Sequence, residues 1–300
     1  MVQRCAAVIG SPTRCPSLDM SRVVATPRPV AATQARRKCP ALAVAALAVM
    51  LVLSSNTGAR ADRDVLWDIV HGQCVPDEQM YSDPEPCAMV ALQDGVEQGY
   101  AVLKDKRGKT QFLLIPTARI TGIEDPELLE PGAPNYFAAA WQARTYVENR
   151  AGRPLPRDGI GLAVNSKPER TQDQLHIHID CLRTDVRDVL REHASRIGDR
   201  WAPFDAPLVG QRYMAMRILG EELGQADPFR LLADGVPGAK EDMAQHTLVV
   251  TGATFADGGP GFIILDGRAD PAAPGSGNGE DLQDHACALA DGGSDEGVPR

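Results

Sequence analysis

At 300 residues, 43% hydrophobic and 24% charged, the chain is long enough to bury a sizeable core and has a globular composition. A net charge of -9 argues against a protein that grips nucleic acid nonspecifically, because neutralising phosphates takes a surplus of Lys and Arg. A local basic pocket is still compatible with that balance.

Residues before Arg36 are rich in Pro, Ala, Arg and Ser and lack periodic apolar positions; they read as neither fold nor conventional leader, and a start at Met20 would remove many of them. Arg36-Arg37-Lys38 then leads into an apolar run from Ala41 to Leu53 and an Ala59-Arg60-Ala61 triplet, the order of an export signal with its cleavage site. Left uncleaved, the run would anchor the body outside the cytoplasm, although it is shorter than the ~20 apolar residues of a stable span. Residues 1–61 are therefore read as an N-terminal extension with a signal or anchor segment, and 62–300 as one folded domain with a mobile C-terminal tail.

Cys5, Cys15 and Cys39 lie in or before the leader, leaving Cys74, Cys87, Cys181 and Cys287 in the body. An even count in an oxidising compartment predicts two disulfides, with three connectivities open. The short, Pro-containing segment between Cys74 and Cys87 favours that pair, which leaves Cys181 with Cys287. No zinc spacing is present, so no structural metal is expected.

Val65 to Val70 reads as a short helix with Trp67 in the core. Val90 to Leu92 and Gly99 to Asp105 read as strands, the second followed by the polar turn Lys106-Arg107-Gly108-Lys109 and a returning apolar strand, Gln111 to Pro116. A brief helix is expected at Asp125–Leu129 and a longer one at Asn135–Glu148, capped by Asn135. Arg153 to Asp158 is a Pro-rich loop, and Ile160 to Asn165 another strand.

The segment Gln172 to Cys181 follows. Gln174, His176, His178 and Asp180 alternate with Leu175, Ile177 and Ile179, the period of a half-buried strand. Same-face neighbours stand roughly 7 Å apart, so two imidazoles and a carboxylate can converge on one small group. A merely solvated strand face would more usually carry Lys, Glu and Thr. With Ile160–Asn165 this strand forms a hairpin whose loop sits over the polar face. Beyond it, a helix is expected from Asp185 to Ile197, capped by Thr184, then a mixed region with Trp201 and Tyr213. Two apolar strands, Thr247–Thr251 and Phe262–Leu265, join by a glycine-rich turn, and Asp270–Glu280 reads as a mobile loop. Strands and helices without regular βαβ alternation predict an α+β fold with an antiparallel sheet and flanking helices.

Two chemistries suit the histidine strand. A neutral imidazole can attack a phosphate and form a phosphohistidine that water then releases; Asn165, Gln172, Asp173 and Gln174 would bind the phosphate oxygens, with Arg157 or Arg170 supplying charge. Alternatively, His176, His178 and Asp180 would ligate a metal, joined by Asp284 and His285.

Asn165, Gln172, His176 and His178, in this spacing, resemble the Asn, Gln, His-φ-His-φ-His signature of the histidine-triad superfamily of nucleotide hydrolases and transferases. Within that superfamily, Leu66-Trp67-Asp68-Ile69-Val70, Gly99 to Asp105, Pro116 to Glu124, Pro134 to Phe137, Gln172 to Leu182 and Gln283-Asp284-His285 with Cys287 are similar to the CDP-diacylglycerol pyrophosphatases over nearly the whole of 66–289. The resemblance implies a histidine-triad-like sheet and cleavage of CDP-diacylglycerol to CMP and phosphatidate through a phosphohistidine, without a metal cofactor. It places the nucleophile at His178, with His176 orienting or polarising, and Asn165, Gln172, Asp173 and Gln174 positioning the pyrophosphate. The third histidine falls on Asp180, a departure from the triad; to donate a proton this carboxyl would need a raised pKa. A frame two residues earlier pairs Gln174, His176 and His178 with the triad and makes His176 the nucleophile, against the spacing from Asn165 and Gln172. The N-terminal apolar segment, taken with a lipid substrate that stays in the bilayer, predicts a bacterial inner-membrane enzyme facing the periplasm, or a periplasmic one if the leader is cut. Against this stand a metal-dependent phosphohydrolase and a noncatalytic nucleotide- or lipid-binding module of the same fold.

Overall fold

The computed structural model describes residues 62–256 and 259–291. The expected signal or anchor segment and the last residues of the tail lie outside this range. Among the described residues no helix is long and apolar enough to cross a membrane.

Among the described residues nine strands make one sheet in which every pairing is antiparallel. In chain order they are β1 (Met89–Ala91), β2 (Tyr100–Lys104), β3 (Phe112–Pro116), β4 (Ile160–Val164), β5 (Ile177–Cys181), β6 (Ala202–Pro203), β7 (Met214–Leu219), β8 (His246–Phe255) and β9 (Gly259–Arg268). Across the sheet the order is β1-β2-β3-β5-β4-β8-β9-β7-β6, which puts the histidine strand β5 between β3 and β4. The α+β class with an antiparallel sheet is therefore the observed one.

The chain enters through α1 (Val65–Ile69), a π turn (Val70–Cys74) and α2 (Val75–Tyr81). The longest helix among the described residues, α3 (Tyr136–Ala151), starts where expected because the Asn135 side chain accepts from the Ala138 N–H at 3.0 Å, satisfying one of the free donors of the first turn. Two shorter helices follow, α4 (Thr184–His193) and α5 (Pro228–Gly235). Thr184 does not cap α4. The cap position is Arg183, whose guanidinium pairs with Asp185 at 2.8 Å, while Asp185 Oδ1 accepts from the Val186 N–H.

Which face each residue takes decides where the site lies. Ile177, Ile179 and Cys181 join Phe137, Trp141 and Val147 of α3 in the largest core cluster. A buried side chain of that size contributes roughly 1.5–3 kcal/mol. The opposite face carries two separate clusters. One packs the N-terminal helices on Ala101, Leu103, Leu113 and Ile115; the other packs Val186 and Leu190 of α4 on Ala163, Val249 and Leu265. His178 pairs with Leu113 on one side and Ala163 on the other, so its ring rises between the two clusters. That gap becomes the cavity.

Three differences from the sequence reading have physical causes. The region around Trp201 and Tyr213 holds β7, whose Met-Ala-Met-Arg start lacks β-branched residues and is a strand because β9 pairs with it from Met214 to Leu219. Strands β8 and β9 pair over ten residues each and extend past their apolar centres through this ladder. Ladder pairing of β5 begins at Ile177, three residues later than expected, because the Gln174 amide donates instead to the carbonyls of Pro116 and Ala118, and Leu175 N–H to that of Ile120.

Both expected disulfides, Cys74–Cys87 and Cys181–Cys287, are formed. The second fastens the end of β5 to the segment after β9. Asp270–Glu280, read as a mobile loop, is tied down near its end: Ser166 N–H bonds the Gly277 carbonyl and the Glu280 side chain is only 11% exposed.

Candidate active site

A cavity of about 470 Å³ opens over the His176 and His178 end of β5. One wall is apolar, built from Val65, Leu66 and Ile69 of α1 with Pro86, Leu103 and Leu113. Lys104, Lys106 and Arg107 bring positive charge from the β2–β3 turn. Asn165, Thr171, Gln172 and Asn278 with the carboxylates Asp105, Glu169 and Glu280 complete the polar side.

The rings of His176 and His178 meet edge to face, 4.8 Å between centroids. Nδ1 of His176 is 2.7 Å from the Gln174 carbonyl, which can only accept; Nδ1 therefore holds the proton and Nε2 the lone pair. Burial, reinforced by the neighbouring His178, drives the His176 pKa down to about 3, so the ring is neutral at ordinary pH. Burial also lowers that of His178.

For His178 the deciding group is Gln111. Its Nε2 lies 2.9 Å from His178 Nδ1 and 2.9 Å from Glu280 Oε1. Turning the amide over would set its oxygen against the Glu280 carboxylate. Gln111 thus donates to both, Nδ1 of His178 accepts, and the proton of this imidazole sits on Nε2. That Nε2 is buried and has no partner among the described residues. A buried N–H without an acceptor costs about 1–3 kcal/mol. Although burial pushes the Glu280 carboxyl up, His178, Gln111 and His285 together hold it below its ordinary value.

The other sequence-predicted residues divide by position. Asn165 lines the cavity and accepts from the Glu280 N–H at 3.2 Å. Gln172 also lines it, while its amide ties Leu66 N–H and the Asp62 carbonyl to the β4–β5 loop. Asp173 does not line the cavity. It pairs with Arg63 at 2.6 Å and with Arg170, and the Arg63 hydrogen bond leads in pulling its carboxyl down to about 2. Gln174 is wholly buried and bonded to backbone.

Asp180 is on the expected face but outside the cavity lining. Its Oδ1 accepts from Thr110 Oγ1 and the Cys181 N–H, and its Oδ2 from His285 Nδ1 at 2.9 Å. With both oxygens accepting, Asp180 is not the donor that a third triad position would supply. Nor does it join His176 and His178 as a ligand. Among the described residues no three His, Cys, Asp or Glu side chains are grouped to hold a metal ion.

Neither arginine considered for phosphate charge reaches the cavity. Arg157 bonds the carbonyls of Gly220, Glu221 and Gly261, and Arg170 is buried between Glu124 and Asp173. Removing Arg170 takes the closest cation from Glu124, leaving Lys167 at 3.6 Å, and one of two arginines from Asp173, which keeps Arg63. Arg170→Met is therefore expected to lower stability by about 3 kcal/mol in a denaturant titration; a loss under 1 kcal/mol would show that the pairs are already solvated.

The cationic turn, Gln111, Glu280 and His285 are the site residues that the strand pattern did not single out. Lys104 read as part of a strand, Lys106 and Arg107 as part of a plain hairpin turn, and Glu280 lay in an apparent loop. The Cys181–Cys287 pairing was the available signal, since it brings the chain around 280–287 to the end of the histidine strand.

The family model for CDP-diacylglycerol pyrophosphatase matches residues 61–291. The chain belongs to the CDP-diacylglycerol pyrophosphatase family. A CDP-diacylglycerol pyrophosphatase of Yersinia pestis is 44% identical over 229 residues, covering 76% of this chain and 86% of the relative. The chain is accordingly a hydrolase of phospholipid metabolism. Every residue of the cavity described above falls inside the part of the chain that matches the CDP-diacylglycerol pyrophosphatase family.

Proposed function

We propose that the chain hydrolyses the pyrophosphate of CDP-diacylglycerol to CMP and phosphatidate through a phosphohistidine. The observation that carries this reading is one cavity holding two neutral imidazoles between a cationic turn and an apolar wall. The substrate has the same division: a nucleotide pyrophosphate with a diacylglycerol end. Lys104, Lys106 and Arg107 face the phosphates, and Asn165 and Gln172 border them. Val65, Leu66 and Ile69 face the glycerol and the first methylenes of the acyl chains.

Which imidazole attacks follows from where the protons are. The triad alignment assigns attack to His178. The hydrogen bonds favour His176, the assignment of the earlier frame, because its Nε2 holds the lone pair while that of His178 holds a proton. Nε2 of His176 attacks the phosphorus on the CMP side; the N–P bond forms as the P–O bond to phosphatidate breaks, and that oxygen keeps the electron pair. The second pKa of a phosphomonoester is about 6, so phosphatidate leaves without a strong acid. The Nε2–H of His178 donates to a phosphoryl oxygen as charge builds on it. Water then attacks the same phosphorus, releases CMP with one proton, and returns the lone pair to His176. Asp173 and Gln174 position the loop and strand, and Asp180 acts through His285. This route uses no metal-bound water.

Export to the periplasmic side of the inner membrane is part of the proposal, supported by the apolar run Ala41–Leu53 and by two disulfides. The test is purified protein with vesicles containing CDP-diacylglycerol. CMP and phosphatidate should appear in equal amounts and EDTA should not slow them. No release, or release restored only by zinc or manganese after chelation, would reject the reading in favour of a binding module or a metallohydrolase.

A further inference from the structure

The third position of the histidine motif is a carboxylate, yet a third imidazole is present at the site. His285 comes from the segment after β9, 105 residues beyond Asp180, and donates from Nδ1 to Asp180 Oδ2 at 2.9 Å. Its Nε2 lies 3.4 Å from Glu280 Oε1. That one oxygen also lies 3.4 Å from His178 Nδ1 and accepts from Gln111 at 2.9 Å. Asp180 is fully buried and the Glu280 side chain is 11% exposed, while the His285 side chain is 35% exposed, so its ring meets two sheltered carboxylates from the edge of the site. The β2–β3 turn closes on His285 from above. Lys109 N–H bonds the His285 carbonyl at 2.9 Å, and Gly108 takes a φ of +65° with no room for a side chain, since a Cβ there would stand 2.9 Å from the His285 Cβ.

We infer that His285 is a positioning residue for the reaction: Asp180 holds it, and its ring, with Nε2 3.4 Å from Glu280 Oε1, holds that carboxylate beside Gln111, so that Gln111 fixes the proton of His178 on Nε2. The departure at Asp180 then has a role. The strand gives up an imidazole at that point and supplies instead the acceptor that holds one from another part of the chain. The hydrogen bond to Asp180, aided by the charge of Glu280, raises the His285 pKa above its ordinary value. The ionisable groups around it are Asp180 and His178 on β5, Glu280 and Asp281 on the preceding turn, its neighbour Asp284, and Asp105 and Arg107 on the β2–β3 turn. Loss of the His285 proton as pH rises leaves a lone pair on Nε2 facing the Glu280 carboxylate, which is then no longer held against Gln111. Activity should therefore fall along an alkaline limb set by His285.

The inference rests on the proposed role of His178 as a hydrogen-bond donor, and the test separates the two. His285→Asn keeps an N–H toward Asp180 but no positive charge. It should lower kcat by about 10- to 100-fold, with KM within about twofold, lose the alkaline limb, and leave the thermal midpoint near that of the parent. Glu280→Gln should do the same, and serves if the first variant fails to fold. Nitrogen-15 NMR of the substrate-free protein reads the tautomer of His178 without any turnover: proton on Nε2 in the parent, and a growing Nδ1–H population in both variants. Parent-like kcat at every pH, or a His178 tautomer unchanged in both variants, would overturn the inference. Absence of a phosphohistidine in the parent, with the tautomer shift intact, would instead count against the covalent mechanism.

Discussion

Quenching the enzyme in alkali during turnover of CDP-diacylglycerol labelled on the cytidine-side phosphate should leave label on a single peptide, with CMP attached to His176. A histidine phosphoramidate survives base, so the site can be mapped by mass spectrometry. His176→Ala should carry no label and lose at least about 10³-fold in kcat, the scale of removing a group that forms the covalent bond. His178→Ala should still be labelled but turn over about 10²- to 10³-fold more slowly, as expected when one donor to the developing charge is removed. Label on His178 in the parent would sink the hydrogen-bond assignment and restore the triad alignment. The pH dependence carries a second check. Because His176 has its pKa lowered to about 3, its lone pair stays available well below the ordinary titration range, and protonation of the nucleophile should produce no acid limb in kcat/KM above about pH 4. Stability should move in the corresponding direction. An unfolded histidine binds its proton near pH 6.5 and the folded one does not, so the contribution of this ring is intact above that value and is lost as pH falls from about 6.5 toward 3.

Removing the Cys181–Cys287 disulfide should be the most destabilising single change in the folded body. The bond closes a loop of 106 residues, and the chain-entropy argument gives about 4.7 kcal/mol for a loop of that size, against about 3 kcal/mol for the short Cys74–Cys87 loop of 13 residues. For a domain of this length each 1 kcal/mol moves the thermal midpoint by roughly 2–4 °C. The pair Cys181→Ala with Cys287→Ala should therefore melt roughly 10–20 °C below the parent, and the matching Cys74, Cys87 pair should lose less. Activity should fall further than stability alone accounts for, because Glu280 and His285 ride on the segment that this bond holds. The comparison is calorimetry of the two double variants, with turnover measured well below either midpoint. A midpoint within about 2 °C of the parent for the Cys181, Cys287 pair would show that the hydrogen bonds of the segment suffice without it.

How far the sequence could be read depended on the range over which the signal acts. Period-two alternation from Gln174 to Asp180 is local, and it placed His178 and Asp180 on one strand with His176 just before it, although the strand is buried throughout and not half-buried. Asn135, a cap that acts within one turn, marked the start of α3 for the same reason. The hairpin turn at Lys106–Lys109 was legible from composition alone, as were the cysteine pairs from count and spacing. Where the deciding partner was distant, reading along the chain stopped short. Strand β7 owes its conformation to β9, and the beginning of β5 was moved by carbonyls some 56 to 58 residues away.

Taken by itself, the sequence determined that this is an α+β protein with a chemically active strand, two disulfides and a strong likeness to one family of hydrolases. Those properties are carried by periodicity, residue counts and motif spacing, all of which survive without coordinates. Only the tertiary structure decided which nitrogen of each imidazole holds a proton, that Asp180 lies outside the cavity lining, and that Glu280 and His285 come up beside His178. The physical reason is that a proton's location depends on the acceptors and charges within about 3–4 Å, and here those are contributed by Gln111 and Glu280, 67 residues before His178 and 169 residues beyond Gln111 respectively.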